Sequence, residues 1–90
     1  MFYLIVNCVN ENNWTKRALK QIKRIDRHWQ LKIINKVKTL ETFPETTGTK
    51  GLLRHQYGYR LRVANYRILF DFEGNVISIQ EVKKRDERTY

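Results

Sequence analysis

The stretch that decides the fold is Tyr59-Arg60-Leu61-Arg62-Val63-Ala64-Asn65-Tyr66-Arg67-Ile68-Leu69-Phe70. Tyr59, Leu61 and Val63 alternate with Arg60 and Arg62. After the tight link Ala64-Asn65 the alternation resumes, with Tyr66, Ile68, Phe70 and Phe72 against Arg67, Leu69 and Asp71. Strand side chains point to opposite faces in turn, so a period of two predicts a hairpin of half-buried strands. Burying Leu61, Val63, Ile68 and Phe70 forces Arg60, Arg62 and Arg67 onto the other face. Glu73-Gly74-Asn75 reads as the next turn, and Val76 to Val82 as the last long strand. There Ile77 and Ile79 take the core side, while Ser78 and Gln80 join the arginines.

Upstream the period changes to that of helices. Trp14, Ala18, Ile22 and Ile25 recur at spacings of four, four and three. A second stripe, Trp29, Ile33, Ile34, Val37 and Leu40, follows a break at Asp26-Arg27, which predicts an antiparallel helical hairpin. The polar run Asn10-Glu11-Asn12-Asn13 offers N-caps for the first helix. Residues 2 to 8 are aromatic and aliphatic and suit a buried strand. Pro44 and Thr46-Thr47-Gly48-Thr49 mark a loop. The expected fold is α+β: N-terminal strand, antiparallel helical hairpin, then a three- to four-stranded antiparallel β-meander with a basic C-terminal tail. The 90 residues fit one domain spanning 1–90.

Charge narrows the function. Eighteen Lys and Arg against nine Asp and Glu give a formal net charge of +9, which calls for a polyanionic partner, nucleic acid first. At 41% hydrophobic the chain has material for a core and is not a disordered tail. Cys8 is the only cysteine, which excludes an intramolecular disulfide and a thiolate metal cluster and suits a reducing cytoplasm. The apolar start Met1 to Val6 is too short for a membrane span. No phosphate-binding glycine loop, paired-histidine arrangement or metal-ligand spacing occurs, so neither cofactor nor metal is expected.

Three arginines on neighbouring strands repel one another, and a bound anion relieves that repulsion. Arginine suits phosphate because its planar fork binds bidentately. Lys83-Lys84-Arg85 leaves the last strand beside this face, and the terminal Tyr90 can fold over it. A cationic cup edged by tyrosine suits single-stranded RNA, with bases stacked on aromatics and phosphates held by arginine. With no metal site, cleavage there would use the 2′-hydroxyl of RNA as nucleophile. His55, near the arginine strands, is a further candidate contact, whereas His28 sits in the basic helix as a surface residue. Lys16, Lys20 and Lys23 on the helical hairpin are further candidate RNA contacts.

The block from Tyr59 to Phe70, followed by Val82-Lys83-Lys84-Arg85-Asp86 and Tyr90, resembles the RelE/ParE toxin superfamily over essentially the whole chain. The resemblance implies the toxin of a bacterial toxin–antitoxin pair, and for RelE-type members a metal-independent endoribonuclease that cuts mRNA in the ribosomal A site. It places Arg60, Arg62, Arg67, Arg85 and Tyr90 in the catalytic site, with Arg67 and Arg85 on the scissile phosphate, Tyr90 on a base or the 2′-hydroxyl, and Lys83 and Lys84 on further phosphates. It also implies an acidic, partly disordered antitoxin as partner. Arginines stand at Arg60 and Arg62, where the best-known RelE toxins have lysines. Guanidinium is a poor base, so deprotonation falls to Tyr90, Lys84, Glu81 or His55. A ParE-like gyrase inhibitor and a non-catalytic RNA- or ribosome-binding member are the alternatives on the same fold.

Overall fold

A computed structural model of the chain describes residues 10–84. The strand expected at residues 2–8, Cys8, Arg85 and Tyr90 lie outside the described residues. The elements run β1 (Glu11–Trp14), α1 (Lys16–Lys23), α2 (Arg27–Lys38), a 3-10 turn (Thr39–Thr42), β2 (Thr49–Gly51), β3 (Tyr59–Val63), β4 (Tyr66–Glu73) and β5 (Val76–Lys84). They build an α+β fold with one five-stranded sheet in the order β1-β5-β4-β3-β2. Strands β2 to β5 form an antiparallel meander, and β1 joins the far edge parallel to β5.

Both helices pack on one face of the sheet. Ala18 and Ile22 from α1, Ile33 and Val37 from α2, and Leu40 and Phe43 beyond it meet Leu61, Ile68, Phe70, Ile77, Ile79 and Val82 in one core. Phe43 sets its ring edge-on to Tyr59, Phe70 and Phe72, with centroids 5.0 to 5.3 Å apart, a favoured geometry for aromatic pairs. The helical break falls where the sequence put it: Asp26 caps α2 by accepting from the His28 amide at 3.2 Å.

The polar run before α1 behaves otherwise than expected. Glu11 to Trp14 form β1 rather than a helix start, because the β5 edge offers backbone partners: Glu11 N–H donates to Asn75 O and Thr15 N–H to Ile79 O. The cap of α1 is Thr15, whose hydroxyl accepts from the Ala18 amide at 3.1 Å. The asparagines do satisfy helix-end groups, but those after α2. Asn10 Nδ2 donates to the carbonyls of Leu40 and Phe43, and Asn12 Nδ2 to that of Val37, all at the C-terminal ends of α2 and the 3-10 turn that follows it. The loop read at Thr46 to Thr49 also gives way at its end, where Thr49 opens β2.

β4 and β5 are not in simple register. Phe70 pairs with Ile79 but Leu69 with Glu81, so Gln80 is an extra residue in β5. This β-bulge reverses the alternation: Ile79 and Val82 both reach the core, while Glu81 and Lys83 turn to the opposite face.

The β3–β4 turn holds Ala64 at φ +53°, the first central position of a two-residue hairpin loop, where glycine is favoured. A Cβ in left-handed backbone costs about 1–2 kcal/mol, and glycine's extra unfolded-state freedom offsets about 0.5–1 of that. Ala64→Gly is therefore expected to stabilise the domain by roughly 0.5–1 kcal/mol. A thermal melt should show a rise of a few degrees; a fall would contradict the strained turn.

Candidate anion-binding face

The sheet face away from the helices carries two cross-strand rows. In the first, Arg62 stands opposite Arg67, and Arg67 opposite Lys83. In the second, Lys50 stands opposite Arg60, Arg60 opposite Leu69, and Leu69 opposite Glu81. Opposed residues of an antiparallel pair lie on one face about 4.5–5.5 Å apart, so the first row is three cations side by side. Arg62, Arg67 and Lys83 are exposed and Arg60 is half-buried. Burial, then the neighbouring charges of Arg62 and Arg67, pull the Arg60 guanidinium below its ordinary value. The face thus crowds like charges.

Glu81 is the acid set into this face, and it is buried. Its carboxylate accepts from the Tyr57 hydroxyl at 2.9 Å and pairs with Arg17 at 3.2 Å and Lys83 at 3.8 Å. Burial pushes Glu81 up. The Tyr57 hydroxyl, Lys83, the Gln21 amide and Arg17 outweigh it and hold the carboxyl below its usual range. Burial, reinforced by the hydrogen bond to Glu81, raises the Tyr57 phenol. Glu81 therefore stays charged and Tyr57 stays a donor.

The structure brings Arg60, Arg62, Arg67 and Lys83 together on this face. Lys84 lies opposite Tyr66 and so belongs to the helix side of the sheet. His55 sits in the exposed connection between β2 and β3, and its Nδ1 accepts from the Tyr57 amide at 3.0 Å. The proton of the neutral ring then resides on Nε2. Lys16, Lys20 and Lys23 are exposed on α1. Tyr57, Arg17 and Lys50 were not singled out from the sequence. Tyr57 falls in a stretch without periodicity, and Lys50 directly follows the loop read at Thr46 to Thr49. Beyond the rows, an open depression of about 750 Å³ is lined by Gly58, Asp71, Ser78 and Gln80 among others. Asp71 there accepts from the Gly58 amide at 2.7 Å and from Gln80 Nε2 at 3.2 Å. Among the described residues no three His, Cys, Asp or Glu cluster as metal ligands, and no helix is long and apolar enough to cross a membrane.

A chain of the RelBE2 toxin–antitoxin complex of Mycobacterium tuberculosis superposes with a TM-score of 0.75 at 18% identity, covering 86% of this chain and 99% of that one. A chain of the archaeal RelE–RelB complex of Pyrococcus horikoshii gives 0.71 at 20% identity, over 88% and 98%. One from the chromosomal ParDE system of P. aeruginosa gives 0.56 at 16% identity, over 87% and 98%. No curated protein matches the sequence. The family model for the ParE toxin of type II toxin–antitoxin systems matches residues 13–89, and the chain belongs to that family. It is a toxin of a toxin–antitoxin system within the RelE/ParE superfamily.

The Glu81 cluster yields a pH prediction. Its folded pKa lies below the ordinary carboxylate value. The stability it contributes is thus complete above the unfolded value of about 4.3 and is lost as pH falls through the folded one. Glu81→Gln should cost about 1–3 kcal/mol at neutral pH. Melts of both proteins on acidification should show the gap closing. A gap independent of pH would mean that Glu81 is not held as a carboxylate.

Proposed function

We propose that this toxin is a metal-independent endoribonuclease that cleaves mRNA in the ribosomal A site and so stops translation in the cytoplasm. The observation that carries the reading is the row Arg62, Arg67 and Lys83. A solvent-facing ladder of like charges is unfavourable until an anion bridges it, and forked guanidinium groups match phosphate oxygens. Arg67 with Arg85 holds the scissile phosphate and stabilises the charge that builds on it, while Arg60, Arg62 and Lys83 hold flanking phosphates. The attacking group is the 2′-hydroxyl of the message, aligned by these contacts.

Of the four residues considered for deprotonation, three fit poorly. Glu81 is buried and held charged by a phenol and three further groups, which makes it a weak base. The acceptor nitrogen of neutral His55 is occupied by the Tyr57 amide, and Lys84 is on the other side of the sheet. The proposal therefore leaves Tyr90, which accepts the proton only as its phenolate, as the remaining candidate base alongside its base-stacking role. A cognate antitoxin, acidic and partly disordered, is the partner this surface suits; the complexes of RelB with RelE among the structural neighbours support that pairing.

Purified toxin should cut ribosome-bound mRNA in EDTA, and Arg67→Ala or Arg85→Ala should each lose at least about tenfold in rate, in line with removing one charge-stabilising donor. Full activity in either variant would overturn the site. The family model's ParE description favours a second reading, a non-cutting gyrase inhibitor. Inhibition of purified gyrase with mRNA left intact on ribosomes would establish that one instead. The ladder itself predicts that Arg62→Thr stabilises the free protein by about 0.2–1 kcal/mol in low salt while weakening RNA binding. Melts at low and high ionic strength test this: the gain should shrink with salt, and a loss of stability would show that the row is not frustrated.

A further inference from the structure

The cations do not stop at the sheet edge. β1 pairs with β5 only as far as Ile79. Beyond it α1 takes the strand's place: Thr15 Oγ1 donates to the Gln80 carbonyl at 3.2 Å, and Gln21 Oε1 accepts from the Val82 amide at 2.7 Å. This docking brings Arg17 against one oxygen of Glu81 while Lys83 approaches the other. Arg17, Lys20, Gln21 and Arg24 then line a shallow open cleft of about 360 Å³ along the helix. Its lining carries three cations and an amide and no apolar side chain. The carboxylate that touches this lining, Glu81 through Arg17, is already shared between Arg17 and Lys83.

We propose that this cleft is a second phosphate subsite, so that the sheet row and α1 form one track for a single RNA strand, turning at Glu81. The inference rests on the RNA reading of the sheet face and extends it. A cleft lined by forked and flexible cations recognises successive phosphates without reading bases. An acidic protein segment would want apolar anchors between its charges, and this lining has none. Glu81 is the joint: it fixes Arg17 beside Lys83 so that the two rows of charge meet without a gap.

The test compares the double variant Lys20→Gln/Arg24→Gln with a control of equal charge change on α2, Lys32→Gln/Lys38→Gln. Binding is read by fluorescence anisotropy with labelled 2′-O-methyl RNAs of about four and about ten nucleotides, lengths chosen to cover the sheet row alone or the whole track. Both Lys20 and Arg24 are exposed and make no hydrogen bond or ion pair to another side chain among the described residues. The α1 variant should bind the long RNA at least about tenfold more weakly, with a log–log salt slope smaller by about 1.4, or about 0.7 for each of two lost phosphate contacts. Its affinity for the short RNA should stay within about twofold, and the control should lose less than about threefold on the long one. Unchanged affinity and slope, or an equal loss in the control, overturns the track. So does a glutamate decamer that binds as tightly with the same dependence on Lys20 and Arg24, which would make the cleft a dock for acidic protein. The two readings fail separately: a wild-type toxin that passes these tests yet leaves ribosomal mRNA uncut loses the nuclease assignment and keeps the track.

Discussion

Leu69 pairs with Glu81 and Phe70 with Ile79, and Gln80 between them has no partner on β4. From that residue onward the side chains of β5 change sides. In unbroken alternation with Ile77 and Ile79, Glu81 and Lys83 would point into the core and Val82 into water. One inserted residue instead buries Val82, sends Lys83 to complete the row with Arg62 and Arg67, and seats Glu81 at the edge of that row. The apolar core and the charged face are therefore set by the same backbone irregularity.

Burying Glu81 on a cationic face resolves one problem and leaves another. A buried carboxylate is costly unless hydrogen-bonded and paired, and Tyr57, Arg17 and Lys83 supply those partners. The cluster ties the connection before β3, the helix α1 and the strand β5 to one atom group. Lys83 is thereby fixed at the end of its row. Arg62 and Arg67, directly opposed, pair with no acid among the described residues. Stability is given up at the positions where an anion would restore it, the pattern expected where a surface serves binding rather than folding.

The β3–β4 hairpin was legible because its period of two is unbroken and both of its faces have a clear chemistry. The break before α2 was legible because Asp26 is a strong cap. β1 was not, since Glu11-Asn12-Asn13 has no strand composition and pairs only because β5 presents an open edge. Capping propensity pointed the asparagines at the nearest helix in sequence, whereas the fold uses them on a helix end some 25 to 33 residues away. The candidate site was half legible for the same reason. Arg60, Arg62 and Arg67 follow from local alternation. The placement of Lys83 and Lys84 on opposite sides depends on a bulge that leaves no mark in composition. Tyr57 and Arg17 reach the face through tertiary contacts that no period records.

The chemistry of this face divides its labour. Arginine binds phosphate through two parallel donors and keeps its proton at any physiological pH, and even Arg60, pulled down by burial and by its neighbours, remains a cation. A row of arginines can align a phosphodiester, draw its oxygens into a fixed field and stabilise the added negative charge of an in-line attack, each lost donor costing about 2.7–4 kcal/mol of barrier in comparable sites. It cannot take up the proton released by the attacking hydroxyl. Where lysine occupies such positions, one residue can serve as clamp and as base. Where arginine does, the base must stand off the row, on a group whose proton can leave. On the proposed nuclease reading the two consequences separate: phosphate affinity would depend on Arg62, Arg67 and Lys83, and the pH dependence of cleavage on a residue outside them.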